Sequence, residues 1–185
     1  MQVRRVVTGR TSEGKSVIAS DELVDPITIA ISPGSEFHGL WGSDTIPELP
    51  DLGKRPATHD WFPPEEGFRF ALVTFPPEGL LQGIDMTVAL AEIQRKLPGL
   101  AESLEPDFVM HTTNTIDLIF VLSGEIALEL DDGAKVQLRA GDSVVQNGTR
   151  HAWHNRGSRD CVMAVSMIGA RTHRRSDGTL QIGSS

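Results

Sequence analysis

The chain has 185 residues, with 17 Lys and Arg against 25 Asp and Glu, so its formal net charge is −8 at pH 7. Such a length corresponds to about one domain of ~150 residues with some extra chain, and 39% hydrophobic residues supply a core that needs no disulfide or metal to fold. The acidic balance excludes a nucleic-acid footprint and an anionic membrane surface, because both require clustered Lys and Arg.

The first half of the chain predicts strands separated by Gly, Pro, Asn and Asp. Short apolar and β-branched runs of this kind indicate an all-β sandwich or barrel. A Pro-rich, polar stretch over residues 43–66 predicts an irregular surface loop or flap. The predicted strands are residues 3–8, 16–19, 28–32, 37–41 and 68–75.

One short helix is predicted, over residues 87–97. Val88, Ala91, Ile93 and Leu97 lie on one helical face, Asp85 can cap the start, and Pro98 follows the end. We expect this linker helix to pack on the outside of the barrel.

The second half of the chain predicts successive antiparallel hairpins. Residues 125–130 alternate charged and aliphatic side chains, which is typical of a strand with one wet and one dry face. Turn residues Asp132-Gly133 and Asn147-Gly148 separate the runs. The predicted strands are residues 116–122, 125–130, 135–139, 143–146, 151–155 and 161–168. We therefore expect residues 101–170 to form a barrel core, residues 1–100 to pack on it, and residues 171–185 to form a flexible tail.

The only cysteine, Cys161, lies in an apolar run and has no partner for an intramolecular disulfide. No stretch approaches the ~18 uninterrupted apolar residues of a membrane span. We expect a cytoplasmic protein that contacts neither membrane nor nucleic acid.

Three polar residues, two just before a predicted strand and one within it, are separated by even numbers of positions. His111, Thr113 and Asp117 differ by even numbers, so on a regular strand their side chains point to one face, while Ile116 and Leu118 point to the other. Polar groups inside a small barrel are costly unless they are bonded or coordinated. The set therefore predicts a metal, a ligand or mutual hydrogen bonds.

The same residues match a known pattern. His111, Thr113, Asp117 and Gly124 follow the spacing H-x-H-x(3,4)-E-x(6)-G, and the stretch from Gly141 to Asn155 follows G-x(5)-P-x-G-x(2)-H-x(3)-N with one residue fewer. Over roughly residues 108–170 the chain resembles the cupin superfamily. The resemblance implies a jelly-roll β-barrel, here with extra N-terminal strands and one linker helix.

The resemblance also implies a metal site. In the family the His and Glu of the first signature and the His of the second hold one divalent metal, which points to His111, Asp117 and His151, with Thr113 where a further ligand is normally found. Fe(II) is the favoured metal, with Mn, Ni or Zn as alternatives. The opposite interpretation is a barrel that holds its ligand without any metal.

His151 is expected to point inward because it shares strand parity with Trp153 and Asn155. We predict catalytic roles for His151, Asp117 and Thr113. We predict that Trp153, Asn155 and His38 bind substrate, although the facing of His38 is open. His154 has the opposite parity and is expected outside the barrel or at a dimer contact.

These patterns leave three functions open. The first is a small-molecule enzyme with a divalent metal, of dioxygenase type. The second is a metal-free isomerase or lyase in which His151 is the base and Asp117 orients an imidazole. The third is a non-catalytic barrel that binds a small ligand. The resemblance also implies a homodimer, and we expect the N-terminal edge strands to be covered by a second copy.

Overall fold

Ten strands and two short helices make up the computed structural model, which describes residues 1–79, 85–106 and 108–172. The helices are α1 (Met86–Lys96) and α2 (Leu100–Ser103), and a 3-10 turn covers Asp131–Gly133. The strands are β1 (Val3–Arg10), β2 (Ser16–Val24), β3 (Glu36–Ser43), β4 (Phe68–Phe75), β5 (Thr115–Ser123), β6 (Glu125–Glu129), β7 (Lys135–Arg139), β8 (Ser143–Asn147), β9 (Ala152–His154) and β10 (Cys161–Gly169).

Two antiparallel sheets enclose the core. The main sheet has five strands in the order β3-β4-β10-β5-β8, and the smaller sheet has three in the order β7-β6-β9. Ile126, Leu128 and Leu138 of the smaller sheet belong to the same buried cluster as Val121 and Met163 of the main sheet. The predicted all-β, jelly-roll barrel is confirmed.

Strand β5 shows why the second half was predictable. Thr115, Asp117 and Ile119 are buried, whereas Ile116, Leu118 and Phe120 are 38%, 47% and 46% exposed. This alternation follows from the two-residue repeat of a strand and agrees with the predicted parity of Asp117.

The N-terminal part contributes two strands to the main sheet itself. β4 pairs with β10 along its whole length, from Phe68 opposite Ile168 to Phe75 opposite Cys161, and β3 pairs with β4. Residues 1–100 therefore help to build the barrel, where we expected them to pack on it. Only the hairpin of β1 and β2 forms a separate sheet.

The strand predicted at residues 28–32 is wrong. The chain there makes a single bridge between Ile27 and Phe37 and then turns. Gly34, with a φ of 87°, follows Pro33, and neither residue suits a regular strand pair.

Helix α1 begins as predicted. The Asp85 side chain accepts hydrogen bonds from the backbone N–H groups of Thr87 and Val88 at 2.9 and 3.3 Å. Ile93 and the following Leu97 are fully buried and belong to the barrel's own core cluster. The helix therefore closes one side of the core, which goes beyond the outside position that we expected. Residues 173–185 of the predicted tail lie outside the described residues.

A buried arginine anchors the Pro-rich loop. Arg69 on β4 is 6% exposed. Its guanidinium donates to the carbonyls of Ser43 and Asp60 at 2.9 Å each and to Asp44 Oδ1 at 2.5 Å. The backbone N–H of Trp61 donates to the Pro98 carbonyl at 2.7 Å. The loop is therefore attached both to Arg69 on β4 and to the segment after α1.

Replacing Arg69 with Met should lower the free energy of unfolding by about 2–4 kcal/mol, because buried carbonyls and a carboxylate lose their donor. Urea unfolding measures this loss, and limited proteolysis should show faster cleavage within residues 44–60. Arg171→Met is the matched control, since Arg171 also pairs with a carboxylate, Glu65 Oε1 at 2.5 Å, but on the surface. We expect that control to change stability by less than about 1 kcal/mol. Equal effects of the two substitutions would contradict the anchoring role.

Candidate functional site

A cavity of about 860 Å³ lies within the barrel, and we call it the central cavity. Its walls are mainly apolar and aromatic, as in typical small-molecule sites. His111, Asp117 and His151 are among its wall residues. The apolar walls come from β3, β4, β5, β9, β10, α1 and the Pro-rich loop, and include Phe37, Val73, Phe75, Ile93, Ile119, Met163, Met167, Trp61 and Trp153.

The two predicted histidines lie side by side. The backbone N–H of His111 donates to the His151 carbonyl at 2.9 Å, and the backbone N–H of His151 donates to the His111 carbonyl at 3.0 Å. Their ring centroids are 4.1 Å apart, with the planes tilted by 50°. A residue pair that exchanges both backbone hydrogen bonds holds its side chains side by side on one face. The backbone therefore sets the spacing of the two imidazoles.

A hydrogen bond to the Thr149 carbonyl determines the tautomer of His151. Nδ1 lies 2.8 Å from the Thr149 carbonyl, which can only accept, so Nδ1 carries the proton. The Gln146 side-chain nitrogen donates to the same carbonyl at 3.0 Å and lies 3.1 Å from Nδ1. Because Nδ1 is the donor in the neutral ring, the lone pair is on Nε2. His151 can then act as a base or as a ligand through Nε2.

Both imidazoles are held neutral. Burial, with the nearby His151 as a second cause, lowers the pKa of His111 to about 4 against the opposing effect of a hydrogen bond to the Val109 backbone. Burial also lowers the pKa of His151 against the hydrogen bond to Thr149. At pH 7 the pair therefore offers uncharged nitrogen lone pairs in an apolar surrounding.

Asp117 lines the same cavity, and its buried carboxyl group destabilises the folded state when it is ionised. Burial raises the pKa of its carboxyl to about 6, and a hydrogen bond with Thr115 opposes the shift. Its Oδ1 is buried and has no hydrogen-bond partner among the described residues. A buried polar atom without a partner marks a place where a ligand or an ion could bond.

Thr113 is buried on the predicted face but is not among the wall residues of the central cavity. Its hydroxyl is 2.8 Å from that of Thr115, which in turn bonds to Asp117. Thr113, Thr115 and Asp117 are buried and alternate with exposed neighbours, as the parity predicts. A catalytic role for Thr113 stays a prediction.

The predicted metal ligands His111, Asp117 and His151 would have to lie close enough together to hold one ion. Across residues 1–79, 85–106 and 108–172, no three His, Cys, Asp or Glu side chains are placed to hold a metal ion. His111 and His151 form a pair, and Asp117 lines the same cavity without completing a three-ligand set. As arranged here, these residues do not fit a metal centre, and metal binding stays a prediction.

Two predicted substrate-binding residues line the cavity in different ways. The Trp153 ring meets His151 edge-on, with centroids 5.8 Å apart at 81°, and forms part of the wall. Asn155 also lines the cavity, but its amide donates to the carbonyls of Phe75 and Arg159 at 2.8 and 2.9 Å. Its Oδ1 accepts from the Gly157 N–H at 3.0 Å, so the side chain holds a turn.

The third predicted substrate-binding residue, His38, does not line the cavity. Its neighbour Phe37 is a wall residue, so His38 faces the other side of β3. It is fully buried there. The facing of β3 could not be read from the sequence, because it depends on the pairing with β4.

His154 borders the cavity, and its side chain lies on the face of β9 opposite Trp153, as its parity predicts. Its Nδ1 is 2.6 Å from Glu78 Oε1 and its Nε2 is 2.8 Å from Glu129 Oε2. His154 pairs with Ala127 and Trp153 with Leu128, so the alternation continues through the three residues of β9. Gln146 and Thr149 were missed, and their only sequence signal was their position around the Asn147-Gly148 turn.

The site residues lie within the part of the chain that matches a known protein family. Residues 102–167 match the family model described as a cupin domain. Phomopsin biosynthesis cluster protein C' of Diaporthe leptostromiformis is 52% identical over 48 residues, 26% of this chain and 25% of that protein. Oryzines biosynthesis cluster protein J of Aspergillus oryzae is 44% identical over 45 residues, 24% of this chain and 25% of that protein. The matches span about a quarter of the length of these curated relatives.

Solved structures are similar at lower identity. A predicted oxalate decarboxylase from Thermotoga maritima is 18% identical, covering 78% of this chain and 92% of that chain, with a TM-score of 0.44. The polyketide cyclase RemF from Streptomyces resistomycificus is 14% identical, covering 78% and 71%, with a TM-score of 0.43. In the part of the chain that the structure describes, no helix has the length and apolarity of a membrane span.

Replacing Asp117 with Asn should stabilise the protein at pH 7. The folded state raises the pKa of Asp117 from 3.8 to about 6, so the native protein loses stability as the pH rises through that interval. Asn cannot ionise, and we expect the variant to be more stable by about 1–3 kcal/mol above that interval. The difference should vanish below the ordinary pKa. The lowered pKa of the histidines gives both proteins an opposite trend, which cancels in the comparison.

Urea unfolding of both proteins at several pH values measures this difference. Asp132→Asn, on the exposed turn before β7, is the matched control and should change stability by less than about 0.5 kcal/mol at every pH. A variant at Asp117 that is less stable than the native protein at pH 7 would show that the carboxylate has a strong partner.

Proposed function

This chain belongs to the cupin superfamily, and we propose that it is an enzyme that moves a proton on a small organic molecule held in the central cavity. This is the isomerase or lyase class of reaction. The observation that carries the proposal is the pair of neutral imidazoles, 4.1 Å apart, in an apolar cavity. The curated relatives are named for phomopsin and oryzine biosynthesis clusters, which supports a small organic substrate.

The chemistry follows from the hydrogen bonds of His151. With Nδ1–H donated to Thr149, Nε2 accepts a proton from a carbon next to a carbonyl. The electron pair of the C–H bond forms the C=C bond of the enolate, and the π pair of the carbonyl moves onto its oxygen. The Thr149 carbonyl stabilises the imidazolium that forms. The imidazolium then returns the same proton to another carbon of the enolate system, which restores neutral His151. Apolar walls keep water from competing for these protons.

The test is hydrogen exchange at carbon. The protein is incubated in D₂O with a panel of neutral aromatic and alicyclic ketones, and loss of the C–H signal is followed by proton NMR. We expect the native protein to exchange at least one ketone about 100-fold or more faster than His151→Ala, the usual scale of a general base. His59→Ala, on the exposed loop outside the cavity, is the control and should keep the native rate.

Exchange that is equally fast in His151→Ala would overturn the base assignment. A native protein that binds these ketones without exchanging them would instead favour the non-catalytic ligand-binding barrel.

The metal-dependent dioxygenase is the second candidate. The bare Oδ1 of Asp117 favours it, because two neutral imidazoles and a carboxylate are the donors of non-haem Fe(II) sites. It requires Asp117 to come closer to the histidine pair than it lies here. Plasma mass spectrometry of untagged protein decides the point. Near-stoichiometric iron, manganese, nickel or zinc, lost in both His111→Ala and His151→Ala, would favour this candidate, and exchange that persists without metal would favour proton transfer.

We also propose that the protein is a homodimer, joined through the outer face of the main sheet. The outward residues of β4, β10, β5 and β8 include no charged side chain in a chain of net charge −8. Such a face meets its own copy without charge repulsion. Four strands of up to nine residues, spaced about 4.8 Å apart and rising about 3.3 Å per residue, offer roughly 500–600 Å² per copy, near the lower end for specific interfaces. The exposed members are Phe70, Ile116, Leu118, Phe120, Leu122, Val145 and Ile168.

Light scattering after size exclusion tests the dimer. We expect the native protein to elute as a dimer at micromolar concentration and Leu118→Glu as a folded monomer, because a buried carboxylate on each side would repel its copy. Leu49→Glu is the matched control, since Leu49 is 89% exposed on the Pro-rich loop. A native monomer, or a Leu118→Glu dimer, would contradict the interface.

A further inference from the structure

We propose that the central cavity selects neutral, largely aromatic molecules that carry at least one hydroxyl group, and that it rejects organic anions of the same shape. The inference rests on the proposed function for taking this cavity as the substrate site. It names the class of substrate from the charges, walls and hydrogen-bonding groups of the cavity.

The charges of the cavity exclude an anion. Among its described wall residues, Arg156 is the only Lys or Arg. Its Nε lies 3.6 Å from Glu78 Oε2, and Glu78 also contacts His154, so this cation is already matched at a solvent-exposed position. Asp117 adds a second carboxyl to the wall. A carboxylate or phosphate buried here would gain no unmatched cation and would lose its hydration, which is costly.

The walls favour a planar ring. Phe37 from β3 and Trp61 from the Pro-rich loop meet edge to face, with centroids 5.6 Å apart at 89°. Phe75 and Trp153 add further aromatic surface to the cavity. Aromatic side chains pack best against other rings in offset or edge-to-face arrangements. A volume of about 860 Å³ is near the upper end of ligand pockets, so a fused ring system fits.

Hydroxyl groups of the ligand can be matched at the wall. Asp117 lines the cavity, and its Oδ1 is buried without a partner among the described residues, so it can accept from a phenolic or enolic hydroxyl. His151 Nε2 is a further acceptor, since Nδ1 carries the proton that Thr149 receives, and it remains available for the proton at carbon when the hydroxyl bonds to Asp117. Asn155 and Trp153 add no acceptor, because Asn155 Oδ1 accepts from Gly157 and indole only donates. A molecule with at least one hydroxyl on an apolar frame therefore suits the site.

Isothermal titration calorimetry with a matched pair of probes tests the proposal. At pH 7, 2-naphthol is neutral and 2-naphthoate is an anion of similar size. We expect 2-naphthol to bind at least about tenfold more tightly, because only the anion must lose its hydration without a counter-charge. Naphthalene should bind more weakly than 2-naphthol, because it lacks the hydroxyl. Equal or tighter binding of 2-naphthoate would overturn the proposal, and so would failure of 2-naphthol to bind.

Two variants place the binding in the cavity. Trp61→Ala removes part of the wall and should weaken 2-naphthol binding at least about fivefold. Trp41→Ala is the control, since Trp41 lies under Arg5 outside the cavity and its loss should leave the affinity unchanged. Equal loss in both variants would place the probe elsewhere and overturn the proposal. If 2-naphthol binds as expected while no ketone is exchanged, the proposed reaction fails and the substrate class stands.

Discussion

The two backbone hydrogen bonds between His111 and His151 are the constraint on which the site depends. They join the segment before β5 to the segment before β9, and so tie the entry of a main-sheet strand to that of a smaller-sheet strand. Because the pairing is mutual, the backbones of the two residues cannot separate without breaking buried hydrogen bonds. The barrel supplies apolar walls around this pair, and those walls keep both rings neutral.

The same burial gives the site its cost. Asp117 carries an unpartnered oxygen and a raised pKa, and the histidines lose the solvation of their charged forms. Groups held in such states destabilise a fold and cluster where they are used. The protein offsets this cost with a continuous core shared by both sheets and α1, and with a Pro-rich loop anchored at Arg69. Stability and reactivity are thus divided between different residues.

Sequence patterns were sufficient where a strand is long and one-sided. Burial alternates over the first eight residues of β5, so the inward position of Asp117 followed from parity alone. The same rule holds at Thr113, which is buried on the face of Thr115 and Asp117, and at His154, which faces Glu129 on the side opposite Trp153. The facing of His38 depends on how β3 pairs with β4, a long-range contact that local sequence does not encode. The neutral state of the histidine pair depends on burial by distant segments, and it too required the fold.

Nitrogen-15 NMR of the imidazole rings in the labelled protein tests directly whether His111 and His151 form a neutral pair. Long-range correlations between ring protons and nitrogens report both the charge and the tautomer of each histidine. We expect a neutral His151 at pH 7 with its proton on Nδ1, remaining neutral just below its ordinary pKa of 6.5. We expect His111 to be neutral over the same range. A charged ring at pH 7, or a His151 proton on Nε2, would contradict this assignment.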